Sequence, residues 1–234
     1  MAGLRHRAQI VLFTVAVSLA LIVLAMAWPR LQAALEYLPV EAAIDRYHLD
    51  GQVPLDSLEN LLDRARRSIE QHPQSRYWNG LAVLSYLQAL DDRAPLARRR
   101  EAFEQTTQAA RQSLLLAPVQ PRTWLYLALA QSSLSFRGAD SIAPLKMSIY
   151  TGRVEPALLL SRLQLAYARF AQLDEEARGL LRDQTLLTFR LKPREFIGSV
   201  KAGDIDFQRV SSLLGPVAPG VLQEMEGSLA GHVR

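Results

Sequence analysis

The chain has 234 residues, 49% of them hydrophobic, with no cysteine and a formal net charge of +4. This is room for one membrane segment and one domain with a sizeable core, and the apolar content excludes disorder over most of the length. The missing cysteines exclude a disulfide framework, a zinc ribbon, iron–sulfur ligation and a cysteine nucleophile, without fixing a compartment.

A pI of about 9.6 invites a nucleic-acid reading, so the charge has to be located. Residues 1–30 carry Arg5, Arg7 and Arg30 and no acid; removing those three from 27 basic residues leaves 24 against 23 acidic ones. The excess basicity flanks an apolar segment and is not concentrated on the folded part, which argues against nucleic acid as a partner.

Residues 8–28 form an uncharged run in which only Gln9, Thr14 and Ser18 are polar. At a rise of about 1.5 Å per residue, such a run spans the roughly 30 Å core of a bilayer. Arg5 and Arg7 predict a cytoplasmic N-terminus, Trp28 an interfacial anchor, and Pro29 the end of the pattern. Membrane lipid is therefore the expected partner of residues 8–28, and the remainder is expected on the far side of the membrane. Two alternatives remain open. Ala25-Met26-Ala27 fits signal-peptide cleavage after Ala27, and the run could also be a buried helix of a soluble protein.

The remainder shows helical spacing almost throughout, with no sustained strand alternation. Leu31, Leu35 and Leu38 continue a helix to about Pro39, Val40 to Tyr47 adds a short turn, and residues 48–52 form a loop. Pro54 opens a helix with a stripe at Leu58, Leu61, Leu62, Ala65 and Ile69, ending at His72-Pro73. Helices follow over Ser75–Leu90 and Leu96–Leu116, broken by Asp91-Asp92-Arg93-Ala94-Pro95, and over Arg122–Leu134 after Pro118 and Pro121. Beyond the loop with Gly138 and Asp140, a short helix is expected from Ile142 to Tyr150. A hairpin of Glu155–Gln172 and Asp174–Leu191 comes next, with Asp174-Glu175-Glu176 placed to stabilise the second helix's N-terminus. Shorter helices after Pro193 are separated by Gly203-Asp204 and Gly215-Pro216. The expected organisation is thus 1–30 cytoplasmic tip and anchor, 31–53 connector, 54–192 repeats, and 193–234 short terminal helices.

Trp78/Leu81/Ala82 and Trp124/Leu127/Ala128 share W-x2-L-A, and each set follows a helix that ends in proline, at Pro73 and Pro118. These residues resemble the tetratricopeptide helix pair, although the tryptophans stand 46 apart and not about 34. The resemblance covers residues 55–134 and implies a TPR-like right-handed helical-hairpin array; with the apolar run before it and helical spacing throughout, the expected fold is all-α, a transmembrane helix followed by that array. At such positions Trp78 and Trp124 are expected in the core, while Trp78, Tyr86, Trp124 and Tyr126 could alternatively line a sugar- or peptide-binding groove.

Nothing in the sequence assembles a catalytic, cofactor-binding or metal site. His6, His48, His72 and His232 lack ligand partners at helical spacing, and His48, between Asp45 and Asp50, reads as a solvated loop residue. The acids at Asp91/Asp92, Asp174 to Glu176 and Asp204/Asp206 are explained by helix caps and dipoles. Gly138, Gly152 and Gly203 are isolated turn glycines. Arg93, Arg98, Arg99 and Arg100 form the densest basic run, expected as a solvated face paired with Glu101 and Glu104.

Residues 144–184, with the T-G-x-x-E-P turn at Thr151-Gly152 and Glu155-Pro156 and the R-L-x-L helix at Arg162, Leu163 and Leu165, follow the second W-x2-L-A helix. This order resembles small single-span proteins encoded with bacterial exopolysaccharide machinery, the VpsP-like group. The resemblance implies a non-enzymatic accessory role, with protein subunits of an envelope complex as partners and no cofactor. A scaffold for cytochrome maturation or cell division, or a glycan-binding or glycan-active protein, are the alternatives.

Overall fold

The structure, a computed structural model, describes residues 2–50, 57–135 and 139–231, with side chains from Leu12 onward except at 49, 50 and 139. The side chains of Arg5, His6 and Arg7, the opening of the second helix at Pro54, Gly138 and His232 lie outside the described residues. Among the described residues the protein is all α-helical, with eleven α-helices and no strand.

The first helix, α1 (Ala2–Asp50), runs 49 residues without a break. This corrects three expectations: Pro29 and Pro39 lie inside the helix, no separate turn follows Val40, and His48 sits in the last helical turn instead of a loop. Each proline removes one main-chain hydrogen bond and strains the preceding turn. Burial of residues on both sides of Pro39 offsets that cost.

The helix has two environments. From Leu12 to Trp28 every side chain is exposed, and the stretch is long and apolar enough to cross a membrane. From Ala33 onward one face is buried, at Ala33, Tyr37, Val40, Ala43 and Ile44. That spacing is the signature of a helix docked along one side. The contact is closest where the Tyr37 ring lies over Gly80 and its hydroxyl donates to the Arg76 carbonyl at 2.9 Å.

The helices that follow form sequential hairpins: α2 (Leu58–Gln71), α3 (Ser75–Ala89), α4 (Leu96–Leu116), α5 (Pro121–Leu134) and α6 (Ile142–Thr151). Pro121 at the first position of α5 needs no main-chain donor there, which explains why the chain re-enters helix at that point. α1, α3 and α5 form one parallel row. Tyr37 meets Tyr77 at 4.7 Å and Tyr47 shares a pocket with Tyr86, while Asn79 accepts from Thr123 at 2.7 Å and Tyr86 meets Tyr126 at 5.3 Å. α2 and α4 return the chain between members of that row, and α6 returns it after α5. Leu81, Ala82, Leu127 and Ala128 are all buried at corresponding places on α3 and α5. The spacing of 46 follows from the 21-residue α4 and the connection before it.

The second half contains α7 (Leu159–Ala168), α8 (Glu175–Leu191), α9 (Pro193–Lys201), α10 (Phe207–Leu214) and α11 (Pro219–Gly231). The helix expected over Glu155–Gln172 is shorter: turns occupy 153–158, and a 3-10 turn closes it at Phe170–Gln172. Pro156 offers no main-chain donor, and Glu155 reaches across to Arg122, so the helix begins only after this tether. Asp174 caps α8 as expected, accepting from the Ala177 amide at 2.7 Å. One core joins Leu125 of α5 and Leu145 of α6 to Leu163, Tyr167, Leu181 and Phe189, and on to Phe196, Val210, Leu214 and Met225.

Arg162 organises this half from inside. It is 1% exposed and donates to the Ser148 hydroxyl (3.0 Å), the Ser148 carbonyl (2.6 Å), the Gly152 carbonyl (2.9 Å) and the Gln184 amide oxygen (3.4 Å). The end of α6 is thereby tied to α7 and α8. Burial pulls the guanidinium down to about 10, which leaves it charged at neutral pH. Gly152 is required by packing, because a β-carbon there would lie 2.7 Å from Pro121. Gly152, Glu155 and Arg162, the residues on which the exopolysaccharide resemblance rests, thus all hold this junction together.

Two outcomes are expected. A β-carbon at Gly80 would lie 2.1 Å from the Tyr37 oxygen, so Gly80→Ala should lower stability by about 1–3 kcal/mol despite alanine's better helix propensity. Thermal melting of the full chain in detergent measures this, and the Tyr37→Phe background should soften the loss by removing the nearest atom. Arg162→Met strands the Ser148 and Gly152 carbonyls in the core and should cost about 2–4 kcal/mol, read from the same melts.

Candidate functional site

The ionisable groups singled out by sequence are mostly engaged in structural pairs. Arg93 pairs with Asp91 at 3.0 Å and Arg100 with Glu104 at 3.2 Å, the latter as helical spacing predicts. Arg98 turns instead to Glu59 of α2, and Arg99 donates to the Ala89 carbonyl at 2.9 Å. Lys146 bridges Asp174 (3.1 Å) and Glu176, and Tyr150 donates to Glu176. The Ala177 amide and Lys146 hold the Asp174 carboxyl below its ordinary range; Lys146 and Tyr150 do the same for Glu176. Asp204 accepts from Ser199 and Gln164, and Asp206 caps α10 through the Gln208 amide at 2.9 Å. Among the described residues no group of three or more metal-ligating side chains is brought together.

Two concave surfaces among the described residues carry aromatic side chains in their lining. The first lies on the parallel row, where α1, α3 and α5 meet the start of α7. Tyr47, His48, Tyr86, Arg122, Tyr126 and Leu158 surround a pocket of about 370 Å³. Arg122 approaches His48 Nδ1 at 2.9 Å and Glu155 at 3.5 Å, while the Tyr126 hydroxyl lies 3.5 Å from His48 Nε2. Arginine has no acceptor, so Arg122 donates and His48 Nδ1 accepts, which defines the neutral tautomer. Burial, then the Arg122 charge, lowers the His48 pKa, with Asp45 acting in the opposite direction. Burial pushes the Tyr86 phenol up to about 12 and raises Tyr47 and Tyr126 as well, so all three remain hydrogen-bonding phenols at neutral pH. Their rings and hydroxyls create a wall that is apolar across its faces and polar at its tips.

The second surface lies between α4, α5 and α6. Leu115, Pro118, Trp124, Leu127, Pro144 and Met147 line a groove of about 950 Å³. Leu115 is 77% exposed, and Leu116 and Val119, near it in sequence, are exposed as well. Arg111, Gln131 and Asp140 close one end. With its amide oriented to satisfy both neighbours, Gln131 accepts from Arg111 at 3.1 Å and donates to the Asp140 carbonyl at 2.8 Å. The Trp124 indole is fixed by donating to the Pro118 carbonyl at 2.8 Å.

The four aromatics considered together in the sequence are therefore divided. Trp78 is half-buried against the first core, Trp124 lines the apolar groove, and Tyr86 and Tyr126 belong to the polar pocket. Tyr47, His48 and Arg122 were missed as site residues. His48 and Arg122 are 74 positions apart, and only the parallel row unites them.

Neutral His48 in the fold gives a pH dependence with a definite sign. Its contribution is present above about pH 6.5, the ordinary histidine value, and is lost as pH falls toward the lower folded value. Melting temperature should therefore drop on acidification from about pH 7.5 to 5, and His48→Gln should flatten part of that drop. Comparison with known proteins returns no match: no protein family, no curated protein and no solved structure resembles the chain at a significant level.

Proposed function

We propose that the protein is a non-enzymatic, membrane-anchored scaffold of a bacterial surface-polysaccharide complex, with its N-terminus in the cytoplasm and its hairpin domain in the periplasm. The observation that carries the scaffold reading is the open groove between α4, α5 and α6. An apolar surface of this extent, exposed on a folded domain and bounded by polar groups at one end, suits an apolar helix or peptide segment of a partner protein. The polysaccharide assignment is supported by the residues 144–184 that resemble the exopolysaccharide accessory proteins, and the topology by Arg5 and Arg7 before the apolar run.

A second reading has one observation in its favour. The tyrosine-lined pocket holding His48 and Arg122 combines ring faces with fixed donors, a chemistry that suits a sugar or a polar peptide.

Affinity purification of the full chain from membranes should recover polysaccharide synthesis or export subunits. Leu115→Glu and Met147→Glu place charge on the apolar wall and should weaken that recovery about tenfold or more. Equal recovery with both variants would remove the groove from the function, and recovery of cell-division or haem-handling proteins would replace the polysaccharide assignment. Saturable binding of purified polysaccharide, abolished by Arg122→Ala but retained by Leu115→Glu, would favour the second reading.

A further inference from the structure

The exposed side of α1 carries an apolar pattern that continues beyond the expected span, where neither lipid contact nor docking onto α2 and α3 requires it. Leu21, Leu24, Trp28, Leu31, Leu35, Leu38 and Ala42 follow alternating steps of three and four. This is the core spacing of a two-stranded coiled coil, maintained over about three heptads. Trp28, Leu31, Leu35 and Leu38 are 56%, 51%, 57% and 56% exposed, although the last three lie beyond the expected membrane span. The buried residues Ala33, Tyr37, Val40 and Ile44 occupy the opposite face, so the domain leaves the seam uncovered. Ala25, Ala27 and Ala34 flank the seam with small side chains.

We infer that this seam pairs with the same seam of a second copy, forming a parallel two-helix stalk from the membrane into the base of the domain. Two copies threaded through one bilayer in the same direction carry identical residues at identical heights, which is the register a parallel heptad seam needs. Charge placement agrees. With the leucines at core positions, exposed Glu41 and Arg46 take the flanking g and e positions, five residues apart. In a parallel pair this places Glu41 of each copy against Arg46 of the other, the spacing at which such pairs set partner choice and orientation. Asp45 takes the core position after Ala42 and ends the seam there, close to the end of the helix. The inference rests on α1 spanning the membrane and is independent of the polysaccharide assignment.

The chain has no cysteine, so single cysteines report directly on the pairing. In membranes containing the full chain, Leu31→Cys, Leu35→Cys and Leu38→Cys should each give, on mild oxidation, a product of twice the chain mass. Arg30→Cys, off the seam, should give at least fivefold less. Glu41→Arg should reduce Leu35→Cys cross-linking severalfold, and combining it with Arg46→Glu should restore it. Equal cross-linking at Arg30 and Leu35, no dimer at any position, or an adduct of a different mass in place of the dimer would each overturn the inference. Extraction of the chain from the membrane pellet by carbonate would instead remove the anchor on which it rests.

Discussion

The close seat of Tyr37 over Gly80 is the contact on which the rest of the structure depends. It is where the helix that carries the long apolar stretch becomes part of the domain. Because α1 continues unbroken through this contact, no flexible linker separates anchor from domain, and Ala33 is already buried five residues after Trp28. Those residues rise only about 7.5 Å, so docking onto the domain begins almost where the fully exposed apolar stretch ends. His48, twenty residues beyond Trp28, then lies roughly 30 Å farther along the same axis. The polar pocket is thereby held at a fixed distance from the apolar stretch, set by helix geometry.

A parallel row of α1, α3 and α5 follows from that seat. α1 supplies the first member of the row, and α3 packs against it on one side and against α5 on the other. The helix that carries the long apolar stretch is thereby also the terminal element that covers the first apolar face of the array. In stacked hairpins each unit is completed by its neighbour, and the first needs a cap. The docked half of α1 meets that need here.

The junction between the two cores depends on buried polarity. Arg162 ties the end of α6 to α7 and α8 through main-chain carbonyls, and Glu155 ties the same turn to α5 through Arg122. The residues that make the second half recognisable in sequence are thus explained by packing and hydrogen bonding. Neither of the two concave surfaces is made by that turn alone. The apolar groove uses α4, α5 and α6, and the polar pocket uses the row, so they can act independently.

Much of the fold was legible in the sequence because its signals are local. An uncharged run of residues 8–28 reads as a span by length alone, and prolines and capping residues near 73, 95, 121 and 174 mark helix ends through the hydrogen bonds they permit or deny. The W-x2-L-A sets located α3 and α5 and their buried Leu and Ala positions. The continuity of α1 was not legible, because proline ordinarily ends a helix, and at Pro39 only the burial of its neighbours against α2 and α3 offsets the local penalty. Nor was the polar pocket, since His48, Tyr86 and Arg122 come from three helices and no spacing connects them. The sequence by itself therefore determined the long apolar segment, the helical class and the helix ends marked by prolines and caps near 73, 95, 121 and 174, all products of short-range chemistry. Tertiary structure alone decided that anchor and domain share one helix and which side chains face each other, because those outcomes depend on contacts between residues 40 to 80 positions apart.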